Sequence, residues 1–187
     1  DLPIMNIFLV RHGEAASAWG QDPDPGLSPL GVQQAEAAAQ LLLPRLDNTV
    51  ELVTSPLQRA RETATPFSDA LGLEVRVEKA FSEIPAPVPL AERQNWLRGF
   101  MQQNWAGQPD ELVLWRDNAL NQLRSFETTT VVFTHFLVLN AIVGEIQRRA
   151  ETLCFWPDNA SITQLRLNGE HGLELVALGE QMDTVVN

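Results

Sequence analysis

"IMNIFLVRHGEAAS", residues 4–17, decides how the chain reads. Ile4, Ile7, Phe8, Leu9 and Val10 are apolar or β-branched, the pattern of a buried strand over 4–10. Such a strand commonly stops at Asn, Gly or Asp. This one stops at Arg11 and His12, two cationic or ionisable side chains in succession. In an open α/β sheet, ligands bind beyond the carboxyl ends of the strands. Arg11 and His12 are therefore candidates for the mouth of a site, and the rest of the chain must supply their partners.

A second buried strand, "TTTVVFTH" at 128–135, also ends in a histidine, His135. A short strand near 51–54 leads directly into "SPLQRARETATPFSDALG", which carries Arg59 and Arg61 early in a helix. Ser55 and Gln58 have the spacing of a capping box, Pro56 suits a first turn, and Gly72 suits a helix end. Before it, Ser28 and Pro29 open a helix that stops at Leu43–Pro44. "LEVRVEK" at 73–79 alternates like an edge strand. A proline-rich loop, "FSEIPAPVP", follows, then helices over about 89–104 and 109–127 and a helix over 136–149. Strands "SITQLRL" and "LELVAL" are joined by the turn "NGEHG". This alternation predicts a mostly parallel central sheet covered on both faces, as one domain over 1–187.

Composition narrows the chemistry. The chain has 187 residues, 44% hydrophobic and 20% charged, enough for a full core. Its net charge of −11 supplies no basic footprint, so nucleic acid is not expected as a partner. No apolar run is long enough to span a membrane, and no signal-peptide pattern is seen at the start. The natural start could be Met5, with residues 1–4 a remnant or a trimmed end. With Cys154 as the single cysteine, neither an intrachain disulfide nor a cysteine metal cluster can form, which suits a cytoplasmic protein. An acidic chain can still hold an anion where its few bases converge. Two histidines and two or more arginines at one sheet edge suit phosphate, because guanidinium groups fork onto its oxygens and neutral histidine is a nucleophile.

Taken singly, each of these residues also has a structural reading: a strand-end histidine in the packing, Arg59 and Arg61 as partners of acids on their own helix. His171 falls in a turn and carries no assigned role. Together, three motifs resemble the histidine phosphatase superfamily, which includes the cofactor-dependent phosphoglycerate mutases. These are "LVRHGE" at 9–14, "SPLQRARETA" at 55–64 and "VVFTH" at 131–135, with "DPGLSPLGVQQA" between the first two. The resemblance implies a three-layer α/β/α sandwich. It implies His12 as the nucleophile that becomes phosphohistidine, with Arg11, Arg59 and His135 holding the phosphoryl group. Arg59, rather than Arg61, matches the family position. Glu83, in "FSEIPAP", stands where many members keep their proton donor.

The chain departs from the family at three places. Ala18 stands where an asparagine is usual, Phe136 follows the second histidine where glycine is usual, and "PAPVPLAER" replaces a glycine- and tryptophan-bearing run after Glu83. The expected activity is hydrolysis of a small phosphomonoester without metal or cofactor. Three histidines with no D-x-H or H-D pair do not make a metallophosphatase site. The alternatives are a protein phosphohistidine phosphatase and a non-catalytic phosphate-binding module. Arg93 and Arg98, in the stretch that would cover the site, either meet a second anionic group on a substrate or pair with nearby acids.

Overall fold

The computed structural model describes residues 4–17, 22–170 and 172–183. His171 and Ala18 lie outside the described residues. Six strands form one sheet: β1 (Ile4–Arg11), β2 (Glu51–Thr54), β3 (Val75–Val77), β4 (Thr130–Thr134), β5 (Ile162–Asn168) and β6 (Gly172–Ala177), in the order β3-β2-β4-β1-β5-β6. The pairs β3–β2, β2–β4 and β4–β1 are parallel, whereas β5 and β6 add an antiparallel hairpin at one side. The sheet is thus mostly parallel, as expected.

Alternation along the central strands explains the layers. Ile7 and Leu9 of β1, with Val53 and Val132, face one side and pack on α4 (Asp110–Arg124) and α5 (Phe136–Ile146) through Leu120, Leu123, Leu139 and Ile142. Phe8 and Val10, with Leu52, Val131 and Phe133, face the other side. They pack on α1 (Pro29–Leu42) and α2 (Gln58–Leu71) through Ala38, Leu42, Ala64 and Phe67. This is a three-layer α/β/α sandwich. A third apolar cluster joins α3 (Arg93–Phe100) to α5 through Ile84, Leu97, Phe100, Phe136 and Leu137. It holds the loop after Glu83 against the carboxyl end of the sheet. Among the described residues, no helix is long and apolar enough to cross a membrane.

Local signals explain two of the helix ends. Ser28 caps α1, its side chain accepting from the Gly31 N–H at 3.0 Å. Gly72 ends α2 in the left-handed conformation, φ 66°. Four expectations need correction. The Ser55–Gln58 capping box does not form: α2 starts at Gln58 with Leu57 as its uncapped N-terminal neighbour, because Ser55 is engaged elsewhere. The helix expected over 89–104 is only Arg93–Phe100, preceded by a short 3-10 turn, and the strand over 73–79 is only Val75–Val77. Helix α5 stops at Ile146, before the arginines at 148 and 149.

Candidate active site

The parallel register of β1 and β4 places Arg11 beside Thr134, so the residues that follow, His12 and His135, leave the sheet side by side. The His12 N–H donates to the Thr134 carbonyl at 3.0 Å, and the two imidazole centroids stand 5.1 Å apart. Strand β2 lies against β4 on the other side, and the chain beyond it turns into α2, whose second residue is Arg59. Topology therefore gathers the two histidines and both arginines at one sheet edge.

The His12 ring is held from two sides. Its Nδ1 lies 2.7 Å from the Gly13 carbonyl and Arg59 Nε lies 3.3 Å from its Nε2. A carbonyl only accepts and a guanidinium only donates. This network therefore assigns the proton to Nδ1 and leaves a lone pair on Nε2. Burial, followed by the charges of Arg11 and Arg59, drives the His12 pKa well below the ordinary histidine value. The ring is therefore neutral at neutral pH.

Arg11 is buried and anchored rather than free. Its Nη1 donates to the Pro157 carbonyl at 2.9 Å and to Met182 Sδ at 3.3 Å, and its guanidinium lies 5.1 Å over the Phe136 ring. The residue that replaces the usual glycine after His135 thus becomes a platform for Arg11. Arg11 Nε is buried with no hydrogen-bond partner among the described residues. Burial lowers the Arg11 pKa to about 10, which leaves it cationic at neutral pH.

Glu83 is buried in the same cleft. Its Oε1 accepts from the Ile84 N–H at 3.1 Å and its Oε2 from the Leu137 N–H, in the first turn of α5, at 3.2 Å. Desolvation raises its pKa above the ordinary glutamate value, against the pull of those two N–H donors and of Arg59 and Arg93. His135 is fully buried beside His12 and does not line the open cleft. Its Nε2 is 2.7 Å from Ser55 Oγ, and its buried Nδ1 has no partner among the described residues. Burial and then the neighbouring His12 and arginines keep it neutral. The cleft encloses about 610 Å³ and is lined by Arg11, His12, Arg59, Glu83, Arg93 and Asn159 among others. Arg61 and Arg98 are exposed and do not line it.

Several contributors escaped the sequence reading. Ser55 serves His135 rather than a helix cap. Thr63 Oγ1 accepts from the Gly13 N–H at 3.0 Å and donates to the Arg59 carbonyl at 2.7 Å, tying α2 to the His12 loop. Both residues sit inside the quoted "SPLQRARETA" run, so a signal was present. Asn159 and Met182 had none, since they arrive from the far end of the chain. The loop that brings Asn159 holds Ala160 at φ 58°, an uncommon conformation for alanine. There the Ala160 N–H meets the His12 carbonyl at 3.2 Å.

A family model described as "Histidine phosphatase superfamily (branch 1)" matches residues 7–180. A phosphohistidine phosphatase SixA homolog of Haemophilus influenzae is 26% identical over 170 residues, 88% of this chain and 90% of that protein. A probable phosphoglycerate mutase GpmB of Yersinia enterocolitica is 34% identical over 88 residues, 43% of this chain and 39% of that protein. Among solved structures, a mycobacterial glucosyl-3-phosphoglycerate phosphatase superposes with a TM-score of 0.77 at 22% identity, over 96% of this chain and all (100%) of that one. A phosphoserine phosphatase from Entamoeba histolytica, in complex with 3-phosphoglyceric acid, gives 0.72 at 21% identity, over 95% and 98%. At these identities the structural likeness is one of fold.

Proposed function

This chain belongs to the histidine phosphatase superfamily, and we propose that within it the protein is a phosphatase of small phosphomonoesters, working through a phosphohistidine on His12. The observation that carries this reading is the His12 ring, with Nδ1 fixed on Gly13 and the Nε2 lone pair directed toward Arg59 in a cleft that also holds Arg11 and Glu83.

In the first step His12 Nε2 attacks phosphorus, the P–O ester bond breaks, and the departing oxygen takes the proton of the Glu83 carboxyl. In the second step the Glu83 carboxylate takes a proton from water, whose oxygen attacks phosphorus. The P–N bond then breaks, and phosphate and neutral His12 are released. Charge building on the phosphoryl oxygens meets Arg11 and Arg59, an electrostatic contribution that dominates phosphoryl transfer. Arg11 Nε and His135 Nδ1, two of the four buried side-chain atoms with no hydrogen-bond partner among the described residues, are assigned to those same oxygens. The arginines do the charge work, so no metal enters the scheme.

The SixA-type relative, matched along almost all of its length, favours a second reading as a phosphohistidine phosphatase. Phosphohistidine is already a good leaving group and does not require an acid. One experiment separates the two. Hydrolysis of a panel of phosphomonoesters and of a phosphohistidine peptide is measured with EDTA present, for wild type and His12→Ala. We expect phosphomonoester turnover that resists EDTA and disappears in His12→Ala. Residual turnover above a tenth of wild type in that variant would sink the nucleophile assignment. Turnover of the peptide alone would move the protein to the second reading.

A further inference from the structure

Beyond Glu83 the chain follows one wall of the cleft through Ile84, Pro85 and Leu90 and delivers Arg93, the first residue of α3, into its lining. Arg93 is half-buried. Its side chain makes one hydrogen bond among the described residues, from Nη2 to the Ile84 carbonyl at 3.3 Å. No described carboxylate lies within ion-pair distance of it. A guanidinium carries five N–H donors in a planar fork, so most of this fork has no acceptor among the described residues. Its charge nevertheless reaches the reaction centre. It favours ionised Glu83 and disfavours charge on Arg59 and His135.

Three guanidinium groups thus converge on one cleft in a chain of net charge −11. Arg59 bonds to His12 and Arg11 is clasped at the end of β1, whereas Arg93 is tied only to the loop past Glu83. The cleft, at about 610 Å³, is of the size that takes a whole small molecule rather than one phosphoryl group.

We propose that Arg93 forms a second anion subsite, which takes a carboxylate carried by the substrate on the side away from its phosphoester. This rests on the phosphatase reading above. A carboxylate suits the position better than a second phosphoryl group. Its two coplanar oxygens match the fork in a bidentate pair. It also brings a single negative charge to a cleft whose lining includes Glu83, Glu14 and Asp22.

The test uses carboxyalkyl phosphates of two, three and four carbons, each paired with the hydroxyalkyl phosphate of the same length. Wild type, Arg93→Met, Arg93→Lys and Arg98→Met are compared. Methionine keeps the apolar stem and removes the cation; lysine keeps the charge and loses the fork. At the best length, wild type should prefer the carboxylate by about tenfold or more in kcat/KM. In Arg93→Met the preference should collapse to within about twofold of unity, chiefly through KM, with Arg93→Lys between. Arg98→Met should retain the wild-type preference. Calorimetric binding of the same pairs gives the comparison independently of turnover. If the pairs differ in affinity but none is hydrolysed, the phosphatase reading falls and the subsite stands. Equal affinities and equal kcat/KM across every pair in wild type overturn the subsite. So does a loss of preference in Arg98→Met as large as in Arg93→Met.

Discussion

Two ionisable groups in the cleft have pKa values moved in opposite directions, and the pH profile should carry both. Burial and two arginines keep His12 neutral to well below its ordinary 6.5, so with His12 as the proposed nucleophile its protonation should cut activity only below that value. Burial raises the Glu83 pKa above its ordinary 4.5, so with Glu83 as the proposed proton donor the acid should be lost on the alkaline side of that value. After correction for substrate ionisation, kcat/KM should be bell-shaped, with its acid limb below pH 6.5. Glu83→Gln should abolish the alkaline limb and slow alkyl phosphates by ~10²-fold or more, but aryl phosphates with acidic leaving groups much less. Equal slowing of both classes would show that Glu83 acts in binding or structure instead. Thr63 offers a stability test beside the same ring. Its hydroxyl satisfies both the Gly13 N–H and the Arg59 carbonyl. Thr63→Val leaves the buried Gly13 N–H without its acceptor and should cost about 1–3 kcal/mol with a fall in kcat, whereas Thr63→Ser should restore most of both. Urea midpoints unchanged in Thr63→Val would refute this.

The elements meet the site at a backbone crossing. A Cβ at Gly13 would lie 2.5 Å from the Gly31 carbonyl oxygen, and one at Gly31 would lie 2.2 Å from the Glu14 carbonyl oxygen. The first turn of α1 and the His12 loop are thus packed backbone to backbone, with Gly13 and Gly31 permitting the approach. Gly31→Ala should cost about 1–3 kcal/mol and depress turnover, since the backbone that must yield is two residues from the nucleophile. Gly99→Ala in α3, with nothing within 4 Å of the added carbon, should instead stabilise by about 0.4–1 kcal/mol. Thermal midpoints moving in the same direction in both variants would contradict the crossing. These elements also show what was legible beforehand. Strands β1 and β4 announced themselves because runs buried on both faces are apolar throughout, and each ended in the residue that mattered. Ser28 was legible as a cap because a cap is a local bond. Ser55 had the same local signature, and a tertiary partner, His135, took its hydroxyl. Arg93 was visible as a cation that either meets a substrate anion or pairs with acids, and the sequence could not choose between these or separate it from Arg98, since its position depends on how Ile84, Leu97 and Phe100 pack against α5.

The cleft is assembled from the whole length of the chain, and its stability should be that of the whole molecule. Arg11 closes the first strand, yet it is held by Pro157 and Met182, contributed by the last thirty or so residues. His135 comes from the middle, Arg59 and Glu83 from between, and Asn159 from the loop before β5. β1, in the interior of the sheet, pairs with β4 on one side and β5 on the other, so distant stretches of the chain are joined at the site. We therefore expect a single cooperative unfolding transition, with loss of activity, far-ultraviolet ellipticity and tryptophan fluorescence coinciding. An oxyanion that binds only the folded cleft must then stabilise every element together. Orthovanadate or phosphate at 100 times its dissociation constant should add about 2.7 kcal/mol. For a chain of 187 residues that corresponds to a rise in Tm of about 5–10 °C. Arg59→Ala should remove most of the rise at the same ligand concentration, because the lost guanidinium weakens binding of the oxyanion. Two separable transitions, or a ligand shift seen by one probe and missed by another, would mean that the two halves fold apart and that the clasp on Arg11 is incidental.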